Sequence, residues 1–123
     1  MQEKSLQEIK ALLSAFLDVG FQVEYLQQKG GDSSCVYIYR FKKGSSFFDW
    51  RETSGTDEIH FVVYTGGAYA FPSIEKRNKK LFQTFQWKHL FKRATIKEKR
   101  ELFAKALTIE LNANPKNFFG IPI

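Results

Sequence analysis

The stretch SCVYIYRFKKGSSFFDWRETSGTDEIHFVVYT, residues 34–65, holds three runs of strand character divided by two short turns. Ser34–Lys42, Ser46–Glu52 and Glu58–Thr65 are rich in aromatic and β-branched residues, which suit a pleated, half-buried surface. Lys43-Gly44 and Ser54-Gly55 supply the turns, because glycine takes the positive φ that a tight reversal needs. Connections this short join neighbouring strands, so the stretch predicts an antiparallel meander. Upstream, Phe21–Gln28 alternates Phe21, Val23 and Tyr25 with Gln22 and Glu24, and Gly30-Gly31-Asp32 turns the chain into the next strand. Downstream, Gly66-Gly67 leads to a short fifth strand, Ala68–Phe71, which Pro72 stops.

Helical periodicity brackets this block. Ser5 and Glu8 have capping-box spacing, and Leu6, Ile9, Leu12, Leu13, Phe16 and Leu17 form one apolar stripe. Gly20 ends that helix, with Phe21 placed to fold back on its last turn as in a Schellman stop. From Ser73 the period changes again, since Ile74, Leu81, Phe82, Phe85 and Phe91 can share one helix face while the lysines point elsewhere. Phe85-Gln86-Trp87-Lys88 alternates, so residues 81–91 read either as helix or as an extension of the sheet. Thr95 and Glu98 repeat the capping-box spacing, and Leu102, Phe103, Ala106, Leu107 and Leu111 line the closing helix. The apolar tail from Phe118 to Ile123 is expected to dock back onto the body. The order predicts an α+β fold: an N-terminal helix, a four- to five-stranded antiparallel meander, either open or curled into a partial barrel, and C-terminal helices.

The 123 residues, 43% hydrophobic and 26% charged, suit a single domain over 1–123 with a core of its own. One cysteine excludes an internal disulfide, and no apolar run reaches the roughly 18 residues of a membrane span. The N-terminus lacks a basic-then-apolar signal pattern, so the expected setting is a reducing cytoplasm with no membrane partner.

The net charge of +6 is unevenly spread, amounting to −2 over residues 1–39, zero over 40–65 and +8 over 66–123. Between Lys76 and Lys105 eleven basic residues face only Glu98 and Glu101. A one-signed block attracts polyanions, whereas a merely solvated face mixes signs. Fourteen of the 19 basic residues are lysine, which acts as a mobile point charge and suits phosphate contact better than base reading. The candidate phosphate-contacting residues are Lys76, Arg77, Lys79, Lys80, Lys88, Lys92 and Arg93.

Chemistry-bearing groups are sparse. Cys35 with His60 or His89 is an arithmetically possible nucleophile pair, but no activating base stands near in sequence, and Cys35 reads as a small buried strand residue. His60 reads as a strand-surface residue. The histidines and the cysteine lie too far apart for closed zinc spacing, and no phosphate-binding loop, dinucleotide glycine pattern or nucleophile elbow occurs. Asp49, Glu52, Asp57 and Glu58 could hold a metal only by converging; the lysine that a strand-borne nuclease centre needs is replaced by His60, and the group reads as solvated turn charges. No enzyme, metal or small-molecule cofactor is expected.

Val36-Tyr37-Ile38-Tyr39 is similar to the shorter motif of an RNA-recognition motif over those four residues, although the glycine-aromatic partner motif and the split element order are missing. The helix–strands–helix order resembles a double-stranded-RNA-binding domain, with Arg77, Lys79 and Lys80 at the phosphate-contacting helix start. The loop histidine of that family is absent and there is an extra strand, so the likeness is one of architecture. Tyr37, Tyr39 and Phe41 share one strand face: exposed, they would stack on bases; covered by helices or enclosed in a barrel, they are core. The residues therefore predict a nucleic-acid-binding protein for RNA or single strands, accessory or regulatory in role, with Tyr37 and Tyr39 as stacking candidates. The alternative is an interaction module or inhibitor for an acidic protein partner, with the Phe118-Phe119 tail as an anchor.

Overall fold

The computed structural model describes residues 2–29 and 35–123; the expected turn at Gly30-Gly31-Asp32 and the strand start at Ser34 lie outside the described residues. Helices α1 (Gln2–Leu12) and α2 (Ser14–Asp18) precede strands β1 (Gln22–Lys29), β2 (Cys35–Lys43), β3 (Ser46–Thr53), β4 (Glu58–Thr65) and β5 (Ala68–Ala70). Then come α3 (Ile74–Arg77), α4 (Lys79–Lys88), α5 (Ile96–Ala113) and a small terminal hairpin, β6 (Asn117–Phe118) with β7 (Ile121–Pro122). The five main strands lie in chain order, each antiparallel to the next. β1 and β5 are not paired with each other, so the sheet is open and does not close into a barrel.

The register decides which face meets the helices. Tyr25, Tyr39, Trp50 and Phe61 form one cross-strand row, and Val23, Phe41, Phe48 and Val63 form the next. These rows pack against Ile9, Leu13 and Phe16 from the first helices and Ala104, Leu107 and Leu111 from α5. Phe16 sits at the centre, its ring 5.0 Å from Phe48 and 4.8 Å from Phe118 in edge-on contacts that suit the aromatic quadrupole. Phe118 and Ile121 are buried and Phe119 is half-buried, so the tail docks as expected.

Local signals explain most boundaries. Gly20 adopts φ +103°, the Phe21 amide donates to the Phe16 carbonyl and the Gly20 amide to that of Leu17, which is the Schellman stop with its Phe21–Phe16 contact. Thr95 and Glu98 cap α5 reciprocally. Ser5 and Glu8, by contrast, lie inside α1, which already runs from Gln2; Glu8 reaches Arg100 instead, an ion pair outweighing a capping role. Residues 81–88 are helical, settling the alternative left open there, and α4 ends before Phe91, which leaves the apolar stripe and stands in solvent.

On the opposite face of the sheet, Arg40 and Arg51 both donate to Asp49, at 2.8 and 2.9 Å, and bury it completely. Under the helices Glu52 is buried beneath Arg100 and Trp50. The acids at residues 49 and 52 are thus paired interior charges, not solvated turn charges, and they point to opposite faces.

Candidate nucleic-acid interface

Ser73 opens α3 by accepting from the Lys76 amide, and after Asn78 the chain continues into α4. Leu81, Phe82 and Phe85 turn α4 toward α5, with the Phe82 ring 6.4 Å from Phe103. A helix buried on that stripe presents its other side to solvent. Lys76, Lys79, Lys80 and Lys88 are exposed, as are Lys92 and Arg93 in the following loop. No salt bridge among the described residues engages these six.

Arg77 differs from them. Its guanidinium donates to Glu110 at 2.7 and 3.2 Å and lies 5.1 Å from the centre of the Phe119 ring, tying α3 to α5 and the tail. The Glu110 bonds raise its pKa, and the charge is already compensated within the fold. Arg100, also inside the basic block, is buried with Glu52 and Glu8.

Three large apolar side chains stand among the free lysines: Trp87 is 73% exposed, Leu90 56% and Phe91 fully. Lys80, Gln83 and Trp87 follow one another at helical spacings of three and four, so the indole shares a face with a lysine and an amide. Trp87 lies two positions from Phe85, about 200° around the helix. That offset was the available signal; the strand-like alternation of Phe85 and Trp87 disguised it.

The root of the projecting loop is pinned by His89. Its Nδ1–H donates to the Phe85 carbonyl and its Nε2–H to Glu98, both at 2.9 Å. With an oxygen acceptor facing each ring nitrogen, the arrangement favours the doubly protonated imidazolium. The bond to Phe85 and then that to Glu98 raise the His89 pKa, while the Thr95 amide, His89 and the Thr95 hydroxyl hold Glu98 down at about 2. Leu90 to Arg93 therefore project from a fixed base.

The strand tyrosines are placed elsewhere. Tyr39 is 1% exposed in the layer beneath the helices, 5.5 Å from Tyr25, and burial followed by the Glu52 charge pushes its phenol up to about 12. A buried ring cannot stack on a base. Tyr37 is half-buried on the same face, lining a cavity with Ser5 and Arg100. Tyr39 is thus a core residue, because alternation shows that residues share a face without showing which face the helices cover.

Cys35 is half-buried, not buried, and receives a 3.5 Å contact from the Gln27 amide at the start of β2. His60 is exposed beside Glu58, and His89 is engaged as above, so neither histidine forms a pair with the thiol. No group of three or more metal-ligating side chains converges among the described residues. Nor is any described helix long and apolar enough to cross a membrane. Compared with known proteins, the chain matches no family model, no curated protein and no solved structure.

Proposed function

We propose that this protein binds single-stranded nucleic acid, RNA foremost, in the cytoplasm, as an accessory or regulatory factor without catalysis of its own. The observation that carries the reading is the exposure of Trp87 and Phe91 among Lys80, Lys88, Lys92 and Arg93. Lysines attract and track phosphates with release of counterions, which makes binding steeply salt-dependent. Aromatic faces stack on whichever bases are unpaired, which makes it tolerant of sequence. A duplex keeps its bases stacked and offers such rings no partner, so the combination favours single strands.

Trp87 makes the test direct, because the other tryptophan, Trp50, is fully buried. A uridine-rich oligonucleotide should quench Trp87 fluorescence, with affinity falling steeply as salt rises. Trp87→Ala and Phe91→Ala should each weaken binding by about 1–3 kcal/mol, measured by anisotropy, and leave stability unchanged. Retention no stronger than that of a neutral control protein at low salt would sink the proposal. Leu90 supports the second reading, an acidic protein partner, because an exposed aliphatic side chain packs in a protein groove but does not stack on bases. Partners that survive nuclease treatment of a lysate would favour that reading.

A further inference from the structure

β4 is paired along nearly its whole length with β3, from Glu58 to Tyr64, but β5 covers only Val63–Thr65. Among the described residues, no hydrogen bond other than the β3 ladder reaches the backbone of Ile59–Val62. Antiparallel ladder groups alternate in direction, so half of these amides and carbonyls point away from β3. Such a row is a template for another strand, and it carries neither proline nor lysine to blunt it.

A trough runs beside this edge. One part, about 530 Å³, lies between Ile59–Val62 and the Phe71–Glu75 segment. The other, about 510 Å³, lies between β4 and the Phe82, Phe85 and Gln86 side of α4. The two share Ile59, His60, Glu75 and Phe103, so they are continuous. A free strand edge on one side and a helix on the other is the geometry of strand addition, in which backbone bonds give affinity and alternate side chains give specificity.

Charge selects the occupant. Asp57, Glu58 and Glu75 line the trough against Lys99, which donates to the neutral Asp57 carbonyl at 3.4 Å, and Arg51, which Asp49 already pairs at 2.9 Å, so carboxylates outnumber uncompensated cations there. Lys76 and Lys79 border the neighbouring cavity beyond Glu75, and Lys80 and Lys88 lie farther round α4, whereas an anion inside the trough would meet carboxylates. We infer that the trough binds an extended peptide as an added strand on β4, its alternate side chains apolar toward Phe82 and Phe103 and basic toward Glu58. About five residues of edge span about 17 Å.

The inference is independent of nucleic-acid binding and is tested by titrating the isotope-labelled protein with an acetylated peptide of roughly seven residues, alternating lysine and valine. The expected result is amide shifts confined to Ile59–Val62, Phe71–Glu75 and Phe82–Gln86, with exchange slowed at alternate β4 amides. A glutamate–valine peptide, and the Glu58→Lys/Glu75→Lys protein, should bind more weakly by at least about fivefold. Both substituted positions are exposed, so the spectrum elsewhere should stay unchanged and certify the fold. N-methylation of alternate peptide amides should abolish binding. The inference is overturned by equal binding of the N-methylated peptide, by no shift at about 1 mM peptide, or by a uridine oligonucleotide that shifts the β4 edge where the peptide does not.

Discussion

Replacing Arg100 with methionine should cost this fold more than any change on the lysine-rich surface. Arg100 bridges three elements: it donates to Glu52 of β3 at 2.8 and 2.6 Å and to Glu8 of α1 at 2.9 Å, while its own backbone belongs to α5. Glu52 is 5% exposed and, among the described residues, otherwise accepts a side-chain hydrogen bond only from the Trp50 indole N–H, at 2.9 Å. Methionine fills much of the arginine stem but leaves that carboxylate facing low dielectric without its cation. Stranding one partner of a buried pair costs about 3–5 kcal/mol. Against a total stability of about 5–15 kcal/mol, that is a large share. The melting temperature should fall by about 10–20 °C. Urea denaturation followed through Trp50 fluorescence reads the effect directly. Adding Glu52→Gln removes the stranded charge yet keeps an acceptor for the indole, so the double variant should regain at least about 1 kcal/mol over Arg100→Met alone. A cost below about 1 kcal/mol for the single variant, or no recovery in the double, would refute the claim that this pair holds α5 to the sheet.

The loop bearing Leu90 and Phe91 should respond to pH. His89 has a raised pKa in the folded state, so its contribution is full below the ordinary value of 6.5 and is lost as pH rises through the folded value. Proton NMR titration should show the His89 pKa falling on Glu98→Gln, and an unchanged titration would break the assignment. Glu98 works in the opposite sense: its contribution is full above 4.5 and is lost as pH falls toward about 2. At the tail, Gly120 has φ +93° and an added Cβ would lie 2.9 Å from the Thr65 methyl. Gly120→Ala should destabilise by about 1–3 kcal/mol, and Thr65→Ser should recover part of it, since serine lacks the methyl but keeps the hydroxyl that donates to the Gly120 carbonyl. Equal denaturation midpoints for Gly120→Ala with and without Thr65→Ser would show that the methyl contact is not the source.

Local rules were legible wherever the cause was local. Gly20 with Phe21, Thr95 with Glu98, and the turns at Gly44, Gly55 and Gly66-Gly67 each act within a few residues, and each appears where its residues stand. Ser5 and Glu8 show the limit, because the same spacing was overridden by Arg100, far along the chain. The candidate site was half legible. The lysines are exposed as a one-signed block must be, but Arg77 and Arg100 are consumed by Glu110 and Glu52, partners that no local spacing reveals. Tyr39, a stacking candidate, is buried for the same reason: burial depends on what packs against a face.

What the sequence alone determined is the order of elements, their antiparallel connection and a basic C-terminal half, since periodicity, turn residues and charge are properties of neighbours along the chain. Tertiary structure decided which sheet face the helices cover, which cations remain free, and that β5 leaves part of β4 unpaired. Those outcomes depend on contacts between residues distant in sequence, where a single register sets every side chain of a strand on one side or the other.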